Sequence, residues 1–371
     1  MTKKVLIVYA TGGMGHVSAA KAIEQAFKNN HAEVRTLNVD VIDYSTEVYR
    51  KFFVDGYNYI SSKKPKVWGK LYHWFNKKSA QTIPTMLSKI AIESRFIPFV
   101  KEFNPDFIVS THPLPMVLVS ASKRKEVIDI MSSMVVTDFG CHSFWVDDQV
   151  NYYFVATDEV KTGLVNYGVP AEKVVVTGIP IQTKFSAPVD KKSLIKSLGL
   201  KDDLFTFLIV GGQFSLGDLQ TVITDIKAKT DKIQFIVVAG RDQYLKEELD
   251  KSNLKDLSEV KILGFIDNMH EIMSVSDLIF TKAGGLTVSE CLAKGLPMVI
   301  NKVIPGQEED NVNYLVNQGA AVKVNNNTEI AQAVIELVVQ PAKLNEMKKA
   351  CQKVGKPDSA LNLADFIYKK I

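Results

Sequence analysis

The chain has 371 residues, 46% hydrophobic and 23% charged, with 21 glycines and 13 prolines. That usage excludes collagen-like, low-complexity and intrinsically disordered chains, and the length accommodates two domains with separate cores. Three scattered cysteines (Cys141, Cys291 and Cys351) form no C-x-x-C pair, so a reducing cytosol fits better than a disulfide framework or a zinc site, and a net charge of +4 is too small to imply nucleic acid. In chain order, the apolar run 5–10 ends in Thr11-Gly12-Gly13. It is too short for a signal-peptide core and right for a buried first strand. No stretch reaches the roughly 18 apolar residues of a spanning helix, so no membrane crossing is expected. Ala19, Ala22, Ile23, Ala26 and Phe27 fall at helical spacing in 18–28, and 34–40 reads as a second strand.

The charge is concentrated in residues 44–101. Eleven Lys/Arg face three acids there, so this segment carries +8 and the rest of the chain −4. It also holds the aromatics Phe52, Phe53, Tyr57, Tyr59, Trp68, Tyr72, Trp74 and Phe75, among them two of the three tryptophans. A basic, aromatic, helix-compatible segment on an acidic body has the composition of an interfacial membrane contact, with Lys63, Lys64, Lys66, Trp68 and Trp74 as its candidates. A helical insertion with core aromatics and solvated lysines fits the same composition equally well. Strands are then expected at 107–110, 131–137 and 153–157, and the pattern restarts after the polar stretch 186–203. Further strands are expected at 205–210, 235–239, 260–263, 278–281, 298–301 and 321–324, with helices between them and a terminal helix over 359–371. Strands alternating with helices imply parallel sheets covered on both faces, and two such series imply two doubly wound α/β domains facing across a cleft.

The chemistry-bearing motifs fall in the loops after strands. In Thr11-Gly12-Gly13-Met14-Gly15-His16 the glycines let the backbone approach a ligand at a helix start. Asp40 stands about where a dinucleotide-binding acid would, but Ser18 takes the place of the third fingerprint glycine and His16 stands where the phosphate would be approached. A helix N-terminus disfavours imidazolium, so His16 is expected to be neutral and suited to a general base. Gly211-Gly212-Gln213 repeats the strand–loop–helix logic. In Thr281-Lys282-Ala283-Gly284-Gly285-Leu286-Thr287-Val288-Ser289-Glu290, amides near Gly284, Gly285 and Thr287 would face a diphosphate, with Glu290 placed to bind a ribose diol. Gly264-Phe265-Ile266 offers backbone to a base edge, and the polar cluster Gln307-Glu308 suits sugar hydroxyls.

These blocks, with Val136-Thr137-Asp138-Phe139, Gly178-Ile179-Pro180 and Gly295-Leu296-Pro297, resemble the monogalactosyldiacylglycerol synthase and processive diacylglycerol glucosyltransferase family. The peptidoglycan N-acetylglucosaminyltransferase is a more distant relative. The resemblance runs in order over nearly the whole chain. It implies a GT-B fold, with acceptor-binding residues 1–180, UDP-sugar-binding residues 181–355, and a helix in 356–371 crossing back. It implies His16 as base, and Gly212, Phe265, Ile266, Gly284, Gly285, Thr287, Glu290, Gln307 and Glu308 around the donor. Gly13, Gly15, His112 and Asp138 fall on the acceptor side. Met14 and Leu286 stand where the family often has Gly or Pro.

The expected activity is inverting transfer of glucose or galactose from UDP-hexose to diacylglycerol, without a cofactor or metal, on the inner face of the cell membrane. Two alternatives are UDP-N-acetylglucosamine transfer to a lipid-linked peptidoglycan precursor and a UDP-sugar sensor without turnover. A nicotinamide-dependent dehydrogenase is a weaker one.

Overall fold

A computed structural model describes residues 2–11, 13–51, 56, 60, 64, 67, 69–71, 74, 76, 92–210, 214–301, 306 and 308–371. Twelve strands among them form two six-stranded parallel sheets. The first contains β1 (Lys4–Tyr9), β2 (Arg35–Asp40), β3 (Phe107–Ser110), β4 (Met131–Val135), β5 (Tyr152–Val155) and β6 (Val174–Val176) in the order β2-β1-β3-β4-β5-β6. The second contains β7 (Phe205–Val210), β8 (Ile233–Val238), β9 (Val260–Leu263), β10 (Leu278–Thr281), β11 (Met298–Ile300) and β12 (Ala321–Lys323) in the order β12-β11-β10-β7-β8-β9. Both orders reverse direction once, between β1 and β3 and between β7 and β10. At such a switch point the loops leaving the two central strands part to opposite faces and open a crevice.

The apolar runs follow from two-sided burial. In β1, Leu6 and Val8 enter a core that continues under the second sheet through Leu208 and Ile279, while Val5 and Ile7 face the helix Met14–Asn30. Each central strand therefore reads as continuous hydrophobicity rather than alternation. On that helix Ala19, Ala20, Ala22, Ile23, Ala26 and Phe27 are buried, the small residues allowing close approach. The C-terminal helix Ser359–Tyr368 packs on it through Ala360, Leu363, Ala364 and Ile367. The Ile181 amide donates to Ser359 Oγ at 3.3 Å, and His31 Nε2 meets Asp365 Oδ1 at 2.7 Å.

Every strand expected from the sequence is present within two or three residues of its expected ends. β6 was not expected: three valines after a short turn give too little periodicity to mark a strand. The polar stretch 186–203 holds a helix, Lys191–Leu198, started by Asp190, whose side chain accepts from the Ser193 amide at 3.2 Å. Its apolar stripe is only Leu194, Ile195 and Leu198, partly buried against the core.

The basic segment divides. Its last part, helix Ser94–Phe103, buries Phe96, Ile97, Val100 and Phe103, so those aromatics are core. Lys64 is exposed and Trp74 is 50% exposed, while Lys63, Lys66 and Trp68 lie outside the described residues. Asn76 ties the segment to the body, accepting from the Ser143 amide at 2.9 Å and from Tyr167 at 3.1 Å. No helix among the described residues is long and apolar enough to cross a membrane.

Candidate active site

The register of β1 with β3, from Val5↔Phe107 to Val8↔Ser110, brings their C-terminal ends to one edge. Gly13 lies in the loop after β1, Gly15 and His16 open the helix Met14–Asn30, and the loop after β3 carries Thr111 and His112. His16 is the third residue of its helix, and its Nδ1 lies 2.6 Å from the Thr111 carbonyl oxygen. A carbonyl can only accept, so Nδ1 carries the proton and Nε2 keeps its lone pair. Thr111 Oγ1 donates back to the His16 carbonyl at 3.0 Å, and the Thr137 hydroxyl stands 3.3 Å from the same Nδ1. The His112 ring meets His16 edge-on, centroids 4.6 Å apart. His112 Nδ1 accepts from the Leu114 amide at 3.0 Å, which caps the next helix.

Burial pushes the His16 pKa down to about 4, against the opposing pull of its bond to Thr111. His112 is also held well below its ordinary value, by burial and then by His16. Both rings are therefore neutral at neutral pH, and His16 presents an unprotonated Nε2. A Cβ placed on Gly13 or Gly15 would meet nothing within 4 Å, so the space before the histidine is open. Asp40 is engaged elsewhere: it accepts from the Thr11 amide and hydroxyl and from the Ile42 amide at 2.9 Å. It braces the first loop, which removes the basis for a dinucleotide reading there. Asp138 is buried, with its Oδ1 3.5 Å from Asn311 Nδ2.

On the other rim, helix Gly285–Lys294 follows β10 and has no side-chain cap, so its first amides, through Thr287, point out of the helix start. Gly284 precedes it in extended conformation. Gly285 serves packing as well, since a Cβ there would overlap the Thr137 carbonyl oxygen of the first half. Glu290 has no hydrogen-bond partner among the described residues, and burial pushes its pKa up to about 8, with Lys184 opposing. Glu308 is buried at the start of helix Glu309–Asn317. Phe265 is 62% exposed after β9, whereas Ile266 packs against the core. Gly12, Gly211, Gly212, Gln213 and Gln307 lie outside the described residues.

Four neighbours of the site were given no role of their own in the sequence. Thr111 and Thr137 orient His16, and Asn311 joins the two halves. Arg241 follows β8 and lies over the Phe265 ring at 5.2 Å, with its Nη1 3.7 Å from Met14 Sδ of the first loop. An arginine three residues past the end of a strand was the signal the sequence offered for it. The cysteines are free; burial pushes Cys141 and Cys351 up to about 12, so neither is a thiolate at neutral pH.

Two doubly wound parallel sheets, each with its switch point between two central strands, make up the GT-B architecture. Residues 16–181 match the monogalactosyldiacylglycerol (MGDG) synthase family, and residues 206–363 match the glycosyltransferase family 28 C-terminal domain. The processive diacylglycerol beta-glucosyltransferase of Bacillus cytotoxicus is 32% identical over 99% of this chain and 94% of its own length. That of Bacillus cereus (strain B4264) is 31% identical, covering 98% and 93%. The chain belongs to this family of diacylglycerol glycosyltransferases. Among solved structures, Acinetobacter baumannii MurG superposes with a TM-score of 0.65 at 16% identity, covering 99% of each chain. The UDP-GlcNAc 2-epimerase of Neisseria meningitidis, bound to UDP-GlcNAc, gives 0.64 at 15% identity, covering 99% and 100%. At such identities these two speak for the fold.

Proposed function

We propose that the protein transfers glucose from UDP-glucose to the free hydroxyl of diacylglycerol with inversion at the anomeric carbon. The observation that carries this reading is the His16 tautomer. Its Nδ1–H is fixed on Thr111, so the unprotonated Nε2 is available to take the acceptor proton as the oxygen attacks. Attack comes from the face opposite the departing UDP, which gives inversion with a single base. The donor lies across the second half: Phe265 and Ile266 at the base, Glu290 on the ribose, and the amides of Gly284, Gly285 and Thr287 with the Gly212 loop on the diphosphate. Gln307 and Glu308 hold the hexose, and Gly13, Gly15, His112 and Asp138 line the acceptor side. Uncapped helix amides stabilise the leaving diphosphate electrostatically, and this reading needs no metal. Glucose is preferred to galactose because the near full-length relatives are named for glucose.

Mass spectrometry of lipid products tests the assignment, with diacylglycerol and each of UDP-glucose, UDP-galactose and UDP-N-acetylglucosamine, with and without EDTA. Glucosyldiacylglycerol formed equally well in EDTA is the expected product. A galactolipid, a product that needs metal, or no product with any donor would count against the respective part of the reading.

The basic segment brings the enzyme to its water-insoluble acceptor on the inner face of the membrane. Exposed Lys64 and Trp74 are of the residue types that bind anionic interfaces. Binding to vesicles containing anionic lipid is expected to weaken as salt rises. Replacing Lys63, Lys64 and Lys66 by Gln should weaken it further, by about 1 kcal/mol per charge. Co-sedimentation that ignores both changes would leave the segment as a solvated helical insertion.

A further inference from the structure

Residues 137–140, which follow β4, are wedged between the first turns of two helices of the second half. On one side, the Thr137 carbonyl occupies the place where a Cβ of Gly285 would stand. On the other, a Cβ on Gly140 would overlap the side chain of Asp310. Between these close approaches lies Asn311, fully buried in the first turn of helix Glu309–Asn317. Its Oδ1 accepts from the Phe139 amide at 2.7 Å, and its Nδ2 donates to the Ala283 carbonyl at 2.8 Å. Phe139 also stacks on Tyr314 of the same helix, centroids 5.0 Å apart.

One carboxamide therefore joins the backbone of the first half to the residue immediately before the Gly284–Gly285 helix start. Two residues before Phe139, the Thr137 hydroxyl stands 3.3 Å from His16 Nδ1. The path from the base to the uncapped helix is continuous: His16, Thr137, Phe139, Asn311, Ala283. We propose that Asn311 is a positioning residue, which through residues 137–139 holds His16 in register with the start of helix Gly285–Lys294. This rests on the reading of His16 as base and of that helix start as the diphosphate site.

The chemistry of the site calls for an amide. The seam presents one N–H and one C=O at the same buried point, so the side chain must accept and donate at once. Aspartate keeps only the bond from Phe139 and sets a carboxylate against the Ala283 carbonyl and Asp138. Alanine leaves both backbone groups unpaired in a buried place, and the simplest relief is for the halves to part and admit water. Neither change touches the groups assigned to the donor. Misplacement of a reacting group by about 1 Å costs about 10²-fold in rate.

The test uses the full chain and reads kcat, the KM for UDP-glucose and the Kd for UDP in N311A, N311D and G140A. G140A opens the same seam by overlap with Asp310, deletes no hydrogen-bonding group and lies away from the groups assigned to the donor, so it serves if the Asn311 variants fold poorly. The expected result is a kcat lowered about 10²-fold with UDP affinity unchanged within a few-fold, in all three. An unchanged kcat per UDP-binding molecule overturns the proposal, because a merely structural residue would lower thermal stability alone. Equal losses of kcat and UDP affinity overturn it too, as collapse of the donor site. If the unaltered chain transfers no glucose at all, the underlying reading falls first and takes the proposal with it.

Discussion

Replacing His16 by Ala is expected to lower kcat for glucosyl transfer by about 10²–10⁴-fold, the usual contribution of a positioned general base. UDP affinity should stay within a few-fold, because the ring lies on the first half and the groups assigned to UDP lie on the second. The pH profile adds a sharper expectation. A free histidine would lose activity as pH falls through its ordinary value of 6.5, but burial holds His16 at about 4. Protonation removes the Nε2 lone pair, so kcat/KM should be nearly flat from neutral pH down to about 5 and fall below that. The lowered pKa also means that folding disfavours the imidazolium. His16 thus contributes stability above pH 6.5 that is lost as pH drops from there toward about 4. Steady-state kinetics in overlapping buffers, with the melting temperature followed in parallel, separate the catalytic limb from unfolding. Retained turnover in H16A would remove His16 from the mechanism, and an acid limb near 6.5 would show that the ring is solvated during catalysis.

Much of the fold was legible because burial on both faces writes itself as short, nearly pure apolar runs. Residues Val5 to Val8 and Phe205 to Val210 are the clearest, and both are central strands. β6 was illegible because it has only three residues at a sheet edge. The helix Lys191–Leu198 was hidden by a stripe of only three apolar positions among lysines and serines. The site shows the same division at another level. His16, Gly284, Gly285 and Glu290 could be proposed from the sequence because each lies within nine residues of the end of a strand, where loop and helix-start chemistry is local. Thr111, Thr137 and Asn311 could not, because what they do is tertiary. Thr111 meets His16 across 95 residues of sequence, and Asn311 meets Phe139 across 172. A threonine and an asparagine carry no mark of such partners. The glycine at 285 misleads in an instructive way: it looks like a concession to a ligand, yet its missing Cβ is also required by the Thr137 carbonyl.

Glu290 yields the second large effect, and its sign follows from burial. With its pKa pushed up to about 8, the carboxyl of the free protein is mostly protonated at neutral pH. The 2′ and 3′ hydroxyls of a ribose are best received by the ionised form, which accepts from both. Binding must then draw on the ionised fraction alone, which raises the apparent Kd by the reciprocal of that fraction. Affinity for uridine should therefore rise roughly tenfold per pH unit up to about 8 and level off above it. Uridine is the right probe, since the phosphates of UDP would add their own titration. In E290Q the dependence should vanish, and at pH 8 the affinity should be lower by about 1.5–3 kcal/mol, the contribution of hydrogen bonds to a charged group. Stability moves the opposite way. A carboxyl raised from 4.5 to about 8 on folding makes the wild-type chain lose stability as pH climbs through that window. The melting temperature of E290Q should therefore overtake that of the wild type progressively between those limits. Calorimetric titration with uridine and thermal melts across pH 5–9 read both effects. A flat wild-type profile would mean that the carboxylate is already solvated, and a pH dependence surviving in E290Q would assign it to another group. The two trends together separate a ribose ligand from an ordinary buried acid. Only a carboxylate kept unpaired in the free protein gains affinity and loses stability over the same pH range.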